Sequence, residues 1–304
     1  MEKFDGNLDE LEVLSKGYWG TIYALSDKYL LKTSTTSEDM TIDEFKRSRA
    51  VYEAGVPCAE PVKMVETVKG PAIIVERILG RSIARRASMK LESLDTYIDA
   101  FVKLAKKMWS ISIPDNTLTT LKSDWLDMAK LYREFMSDEI VDKYVKFVNA
   151  LPDDNKFLHM DFHWSNVMFN GGDSRLIDLP NACVGHPAID MTSIACFYNL
   201  IPKIGFEDRT YQDVFRINEE EAAYVWDGVC QRMFEGLPEN VAAERKECCE
   251  KMSSLVYSHN FMRDYVLGTA SQKCLDDITG FITTIVNEDG DFILRVLSEW
   301  KWVC

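Results

Sequence analysis

Over the first eighty positions, apolar residues come in short bursts broken by turn-forming polar ones; afterwards they recur at helical spacing. Positions 11–14, 21–24 and 29–32 each read as a strand, the last two joined by the turn Ser26-Asp27-Lys28. Positions 41–54 carry Phe45, Ala50 and Val51 on a helical period, and Gly55 followed by Pro57 stops the run. Positions 62–65 and 72–75 predict two further strands. Beyond Gly80, 91–110 and 120–150 predict long amphipathic helices. Short β stretches return at 167–169 and 175–178, and from Ile189 onward the pattern is helical again. The expected fold is α+β, with a small β-rich N-terminal lobe (1–80) and a larger, mostly helical C-terminal lobe (81–304). The cleft between them is the default ligand site.

The 304 residues, 46% hydrophobic and 11% aromatic, supply a full core and exclude disorder as the main state. Net charge is −14, and the last hundred residues carry −9 of it. Such a surface repels phosphate backbones, so no nucleic-acid partner is expected; the acidic last third reads as a solvated helical surface that aids solubility, or as a patch that favours a cationic substrate. No stretch approaches the ~20 apolar residues of a membrane span, so no membrane partner is expected either. Met1-Glu2-Lys3-Phe4-Asp5 does not read as a secretion signal. The eight cysteines, at 58, 183, 196, 230, 248, 249, 274 and 304, form no CxxC pair. They read as reduced thiols of a cytoplasmic protein.

The densest chemistry lies at His159-Met160-Asp161-Phe162-His163-Trp164-Ser165-Asn166, with Leu176-Ile177-Asp178 twelve residues after the asparagine. Phosphoryl transfer needs a carboxylate beside the acceptor hydroxyl and oxygen ligands for Mg²⁺ on the nucleotide phosphates. A loop between two apolar stretches can place Asp161 at the acceptor and turn Asn166 to the metal, while the next strand delivers Asp178. Upstream, Lys32 is an unexpected charge at the end of an apolar strand. Its ammonium suits nucleotide phosphates if a carboxylate orients it. Glu44 on the following helix is preferred to Asp43, because the apolar face then falls on Phe45, Val51 and Tyr52. The turn from Ser15 through Gly17 to Gly20 could lay backbone N–H groups over the phosphates, although such a turn alone is equally a hairpin.

Taken in order, these pieces resemble the aminoglycoside phosphotransferase and choline-kinase-like group within the protein-kinase-like fold. The resemblance runs from about Leu11 to the last helices and is strongest from Leu158 to Asp190. It includes a phosphate turn (14–23), the helix end Val51-Tyr52-Glu53-Ala54-Gly55-Val56-Pro57, and the hinge Glu76-Arg77-Ile78-Leu79-Gly80. It implies a bilobal, Mg²⁺-dependent small-molecule kinase using ATP or GTP. By this resemblance Asp161 is the catalytic aspartate, Asn166 and Asp178 are metal ligands, and Lys32 and Glu44 form the lysine–glutamate pair. Glu76 to Ile78 match the segment whose backbone holds the adenine. Asp190 matches the aspartate that braces the catalytic loop, with His159 as its structural partner.

Three positions depart from the pattern. The first glycine of the phosphate turn is Ser15, the glycine after the first histidine is Met160, and Asp178 is followed by Leu179-Pro180 instead of Phe-Gly. The twelve residues from Asp178 to Asp190 leave no room for a protein-substrate platform. The acceptor stays open among an antibiotic such as an aminoglycoside and a metabolite such as choline, ethanolamine, homoserine or a sugar-like compound. Tyr211, Trp226, Tyr257, Asp264 and Trp300 could line its pocket but read equally as packing. The competing non-enzyme reading is a catalytically silent kinase-like module that binds nucleotide. His159 and His163 are spaced as on a zinc-binding helix, but no HExxH accompanies them, and no GxSxG elbow is present.

Overall fold

Apolar residues on alternate positions of the early strands build one side of a six-stranded sheet. The computed structural model describes residues 1–16, 20–34, 37–114, 116–206, 209–266, 268 and 271–302, the side chains of 263, 264 and 266 aside. The strands are β1 (Glu2–Lys3), β2 (Val13–Lys16), β3 (Gly20–Ala24), β4 (Tyr29–Ser34), β5 (Pro61–Thr67) and β6 (Gly70–Glu76), in the order β1-β5-β6-β4-β3-β2. Tyr23, Leu31 and Ile74 fall in register across β3, β4 and β6, and with Leu8, Val65 and Ala72 they form a small core. Ile22, Lys32 and Ile73 share the opposite face by the same register. Lys32 therefore sits inside the sheet, not at a strand end, because β4 continues to Ser34.

Between β4 and β5 runs helix α1 (Glu38–Glu53), capped by Ser37, whose Oγ accepts the Met40 N–H. Its far end closes with two reverse bonds, Gly55 N–H to Tyr52 O and Val56 N–H to Val51 O, with Gly55 at φ +84°. Glycine takes that left-handed conformation without penalty, and Val51 and Val56 bury together beneath it.

After the short β7 (Arg81–Ser82) come α2 (Ile83–Ser88), α3 (Leu94–Trp109), α4 (Leu121–Tyr132) and α5 (Asp138–Ala150). The pattern over 120–150 is thus two helices, not one. The first ends at Arg133 and the second starts from a Ser137 cap, and Phe135 and Met136 pack inward at the break. Strands β8 (Lys156–Leu158), β9 (Val167–Phe169), β10 (Ser174–Leu176) and β11 (Cys183–Gly185) form two small sheets, β10-β9-β7 and β11-β8. The remaining helices are α6 (Pro187–Ala195), α7 (Ile201–Ile204), α8 (Tyr211–Phe215), α9 (Glu219–Met233), α10 (Glu239–Val266), α11 (Gln272–Thr284) and α12 (Gly290–Glu299). Between α6 and α7, Cys196–Leu200 winds as one π-helical turn, with Ile201 N–H donating to Cys196 O. The Tyr211 hydroxyl donates to Phe197 O within that turn, at 2.8 Å.

The second, much larger core belongs to these helices and reaches across to Val51, Val56 and Cys58. The seven described cysteines are buried, and no disulfide joins any two of them. Burial pushes the Cys58 thiol up to about 12, so it stays protonated. Among the described residues, no helix is long and apolar enough to cross a membrane.

Candidate active site

The loop between β8 and β9 alternates in burial. Met160, Phe162, Trp164 and Asn166 are buried, while Asp161, His163 and Ser165 stay partly open. The stretch is not a strand: it bends at Met160 and winds as a single 3₁₀ turn over Trp164–Asn166. Phe162 stacks on Phe101 at 4.1 Å between ring centres, and Trp164 packs edge-on to Tyr97. The apolar residues thus fix the loop, and the polar ones point out of it.

The loop's backbone is held by α6 and the π turn. The Asp190 carboxylate, wholly buried, accepts three N–H groups: Trp109 Nε1 at 2.8 Å, His159 N at 3.1 Å and Met160 N at 2.7 Å. Burial raises its pKa, and those donors hold it back toward the ionised form. Ser193 Oγ accepts Phe162 N–H, and Tyr198 Oη accepts Trp164 N–H. Asp190 meets His159 through the backbone and not through the imidazole. The ring instead uses Nε2 toward Ile177 O (3.2 Å) and Nδ1 toward Asp161 N–H (3.3 Å). Met160 is held at φ +61°, a left-handed backbone where a glycine would be unstrained, which gives the Met160 departure a physical meaning.

Asp161, Asn166, Asp178, Lys32 and Glu44 come together. Asn166 Nδ2 donates to Asp161, to its O at 3.0 Å and its Oδ2 at 2.9 Å, and also lies 3.3 Å from His163 Nε2. His163 Nε2 lies 3.5 Å from Asp161 Oδ1. Burial pushes Asp161 up, but His163, His159 and Asn166 outweigh it and hold the carboxyl below its ordinary value. Ile177 N–H donates to Asn166 O at 3.0 Å, which seats Asp178 beside Asn166. Asp178 is also left-handed, at φ +63°.

Lys32 Nζ is 2.5 Å from Glu44 Oε1 and 2.7 Å from Asp178 Oδ1. Burial works against its charge, yet the two carboxylates win and raise its pKa. Asp43, the residue not preferred, pairs with Arg47 instead. The donor set suits a hard divalent cation: Asp178 offers a carboxylate, and Asn166, its Nδ2 turned to Asp161, offers Oδ1. The two histidines sit in a loop, not on a helix, and no cluster of three or more His, Cys, Asp or Glu suited to a metal occurs among the described residues.

The phosphate turn and hinge are less direct. Gly17 lies outside the described residues. Ser15 is exposed on β2 opposite Ile22. Gly20 opens β3 where a Cβ would meet Thr33 O at 2.0 Å, so the close strand pairing demands glycine. The Glu76 carboxylate binds Arg175 of β10 (2.5 and 2.6 Å) and accepts Glu60 N–H, so its oxygens are engaged within the protein. Among the described residues, no protein group accepts the Ile78 N–H. Tyr211, Trp226, Tyr257 and Trp300 are buried packing residues, and the side chain of Asp264 lies outside the described set. Trp109, Ser193, Tyr198, Arg47 and Arg175 carry no signal in the sequence that marks them, since each acts through a partner distant along the chain; His163 is marked there only by its spacing from His159, which misses its place beside Asp161.

The structure is similar to those of known small-molecule kinases. The aminoglycoside phosphotransferase APH(2″)-IIa solved with gentamicin shares 16% identity, with 94% of this chain and 93% of that one covered at a TM-score of 0.55. The same enzyme solved with streptomycin and ATP gives 16% identity, 93% of each chain and 0.56. A choline/ethanolamine kinase family protein from Mesorhizobium loti gives 12% identity, 97% and 95% coverage, and 0.59. These likenesses establish the protein-kinase-like fold. No curated protein matches in sequence. The profile of the phosphotransferase enzyme family matches residues 10–224, and the chain belongs to that family.

Proposed function

We propose that this chain transfers the γ-phosphate of ATP or GTP to a hydroxyl of a small molecule, with Asp161 taking the hydroxyl proton. The observation that carries this reading is the convergence of Lys32, Glu44 and Asp178 beside the Asp161–Asn166 pair. Residues 1–80 would form the nucleotide-binding lobe and 81–304 the catalytic and acceptor lobe. Lys32, oriented by Glu44, would bind phosphate oxygens; the Ile78 N–H is available to an adenine acceptor. Asn166 and Asp178 would hold Mg²⁺, which neutralises phosphate charge when bound.

Asp161 is kept ionised at neutral pH by its neighbours, so it can orient the acceptor hydroxyl and accept its proton late in the transfer. Its orientation is set by Asn166 and the braced loop, so most of the rate would come from positioning. The structural neighbours phosphorylate or bind different acceptors, and fold alone does not choose among them. An aminoglycoside, choline or ethanolamine, homoserine and sugar-like compounds are therefore all tested.

The test is Mg²⁺-dependent transfer of labelled γ-phosphate, from ATP and from GTP, to a pooled panel of amino alcohols, sugars and hydroxylated antibiotics. A labelled product is expected with the wild type. Asp161→Ala should lose about 10³-fold or more in turnover while nucleotide affinity stays within about threefold. Full turnover by Asp161→Ala would remove Asp161 from its role. Nucleotide binding without transfer to any acceptor would favour the catalytically silent module.

A further inference from the structure

We propose that Arg47 is a positioning residue that keeps α1 registered on the Asp178 loop when Lys32 gives up its carboxylate partner. The proposal rests on the kinase reading, because it concerns what happens when a nucleotide fills the site. Lys32 Nζ bridges Glu44 on α1 and Asp178 on the C-terminal side. Phosphate oxygens arriving at Lys32, and a cation arriving at Asp178, compete for the two ends of the Lys32–Asp178 contact. The bridge between the lobes is therefore weakest in the state that must react.

Helix α1 lies against β5 and β6 but buries few of its side chains completely. Only Thr41 and Val51 of its sixteen residues are fully buried, and the paired closure at Val51 and Val56 is two turns away. Arg47 stands three residues after Glu44, on the neighbouring stretch of the same helix side. Its Nε donates to Asp43 at 2.7 Å. Its Nη1 donates to Thr119 Oγ1 at 2.7 Å and Ala182 O at 2.8 Å, and lies 3.4 Å from Asp124 Oδ2. Ala182 is four residues beyond Asp178 on the same loop. A second path from Glu44 to Asp178 thus runs through Arg47 and Ala182, and no nucleotide ligand competes for it. The planar guanidinium reaches three elements at once; a lysine ammonium at that place cannot span them.

The test is hydrogen exchange of the α1 amides in the full chain, comparing wild type, Arg47→Lys and the milder Thr119→Val. Without nucleotide, Arg47→Lys should change α1 exchange by no more than about twofold, because the Lys32 bridge remains. With saturating Mg-ATP, it should exchange about tenfold faster than wild type, and Thr119→Val by a smaller factor. Turnover should fall about tenfold with KM for ATP within about threefold. Lys32→Met provides the arm that needs no nucleotide: in that background Arg47→Lys should give the same tenfold acceleration. Equal effects with and without the bridge would overturn the proposal and leave Arg47 a general stabiliser; no acceleration in either background would also overturn it. A wild type that binds neither Mg-ATP nor Mg-GTP would sink the kinase reading, while the Lys32→Met arm still decides the role of Arg47.

Discussion

Met160 shows how one side chain can serve two opposed requirements. It is buried in the large core, yet its backbone is left-handed, held there by Asp190. For a non-glycine residue this conformation costs about 1 kcal/mol, while truncating a buried methionine to alanine costs about 2–5 kcal/mol. Met160→Ala should therefore pay the cavity and keep the strain. Met160→Gly should pay the cavity and lose the strain, and so be more stable than Met160→Ala by about 1 kcal/mol. Chemical denaturation of both variants checks this; the reverse order would mean that the backbone relaxes when the side chain is removed. Three polar residues of the candidate site were legible from their spacing, because Asp161, Asn166 and Asp178 lie near one another in sequence. Arg175, by contrast, lies 99 residues from Glu76, and nothing local to either predicts the pair.

That pair shows what elements do that single residues do not. Glu76 ends β6, Arg175 sits on β10, and the guanidinium also donates to Cys58 O at 2.6 Å, so one side chain ties the end of β6 to the β10-β9-β7 sheet. The Arg175 hydrogen bonds hold the Glu76 carboxyl below its ordinary value against the opposing effect of burial. A carboxyl with a depressed folded pKa contributes stability that is complete above its unfolded value, near 4.3, and is lost as pH falls toward the folded one. Arg175→Gln should therefore lower Tm most at neutral pH, and the pH-dependent part of the gap from wild type should close below about pH 4. A gap independent of pH would assign the effect to the Cys58 carbonyl alone. At this scale the sequence was readable where periodicity is strong, as in α1, α3 and the strands from β3 to β6. It was not readable where elements are short or broken. The two residues of β7 have no period, and the break at 133–137 is set by inward packing of Phe135 and Met136, which a helical pattern tolerates.

Across the whole molecule, the two cores are unequal. Six buried residues stabilise the N-terminal sheet, whereas the large cluster runs through nearly every later helix. Native-state hydrogen exchange should find the amides of β3 and β4 opening more readily than those of α6 and the middle of α10. A nucleotide at about 100 times its Kd adds about 2.7 kcal/mol to the bound form. The exchange of β3 and β4 should then slow by up to about 100-fold, while α10 changes little. Equal slowing in both lobes would mean that they open as one unit. The π turn at Cys196–Leu200 has a consequence for descent. Such a turn holds one residue more than the α-helical turn it replaces, and each residue rotates a helix by about 100°. Removing that residue would spin everything from Ile201 onward about the axis, while Asp190 and Ser193, upstream, would keep their grip on the loop that carries Asp161. A lineage could re-aim α7 and α8 by a single-codon deletion and keep the Asp190 and Ser193 contacts, but it would have to rebuild the Trp164–Tyr198 contact made from within the turn, so this one turn couples the aim of the later helices to the seating of the loop.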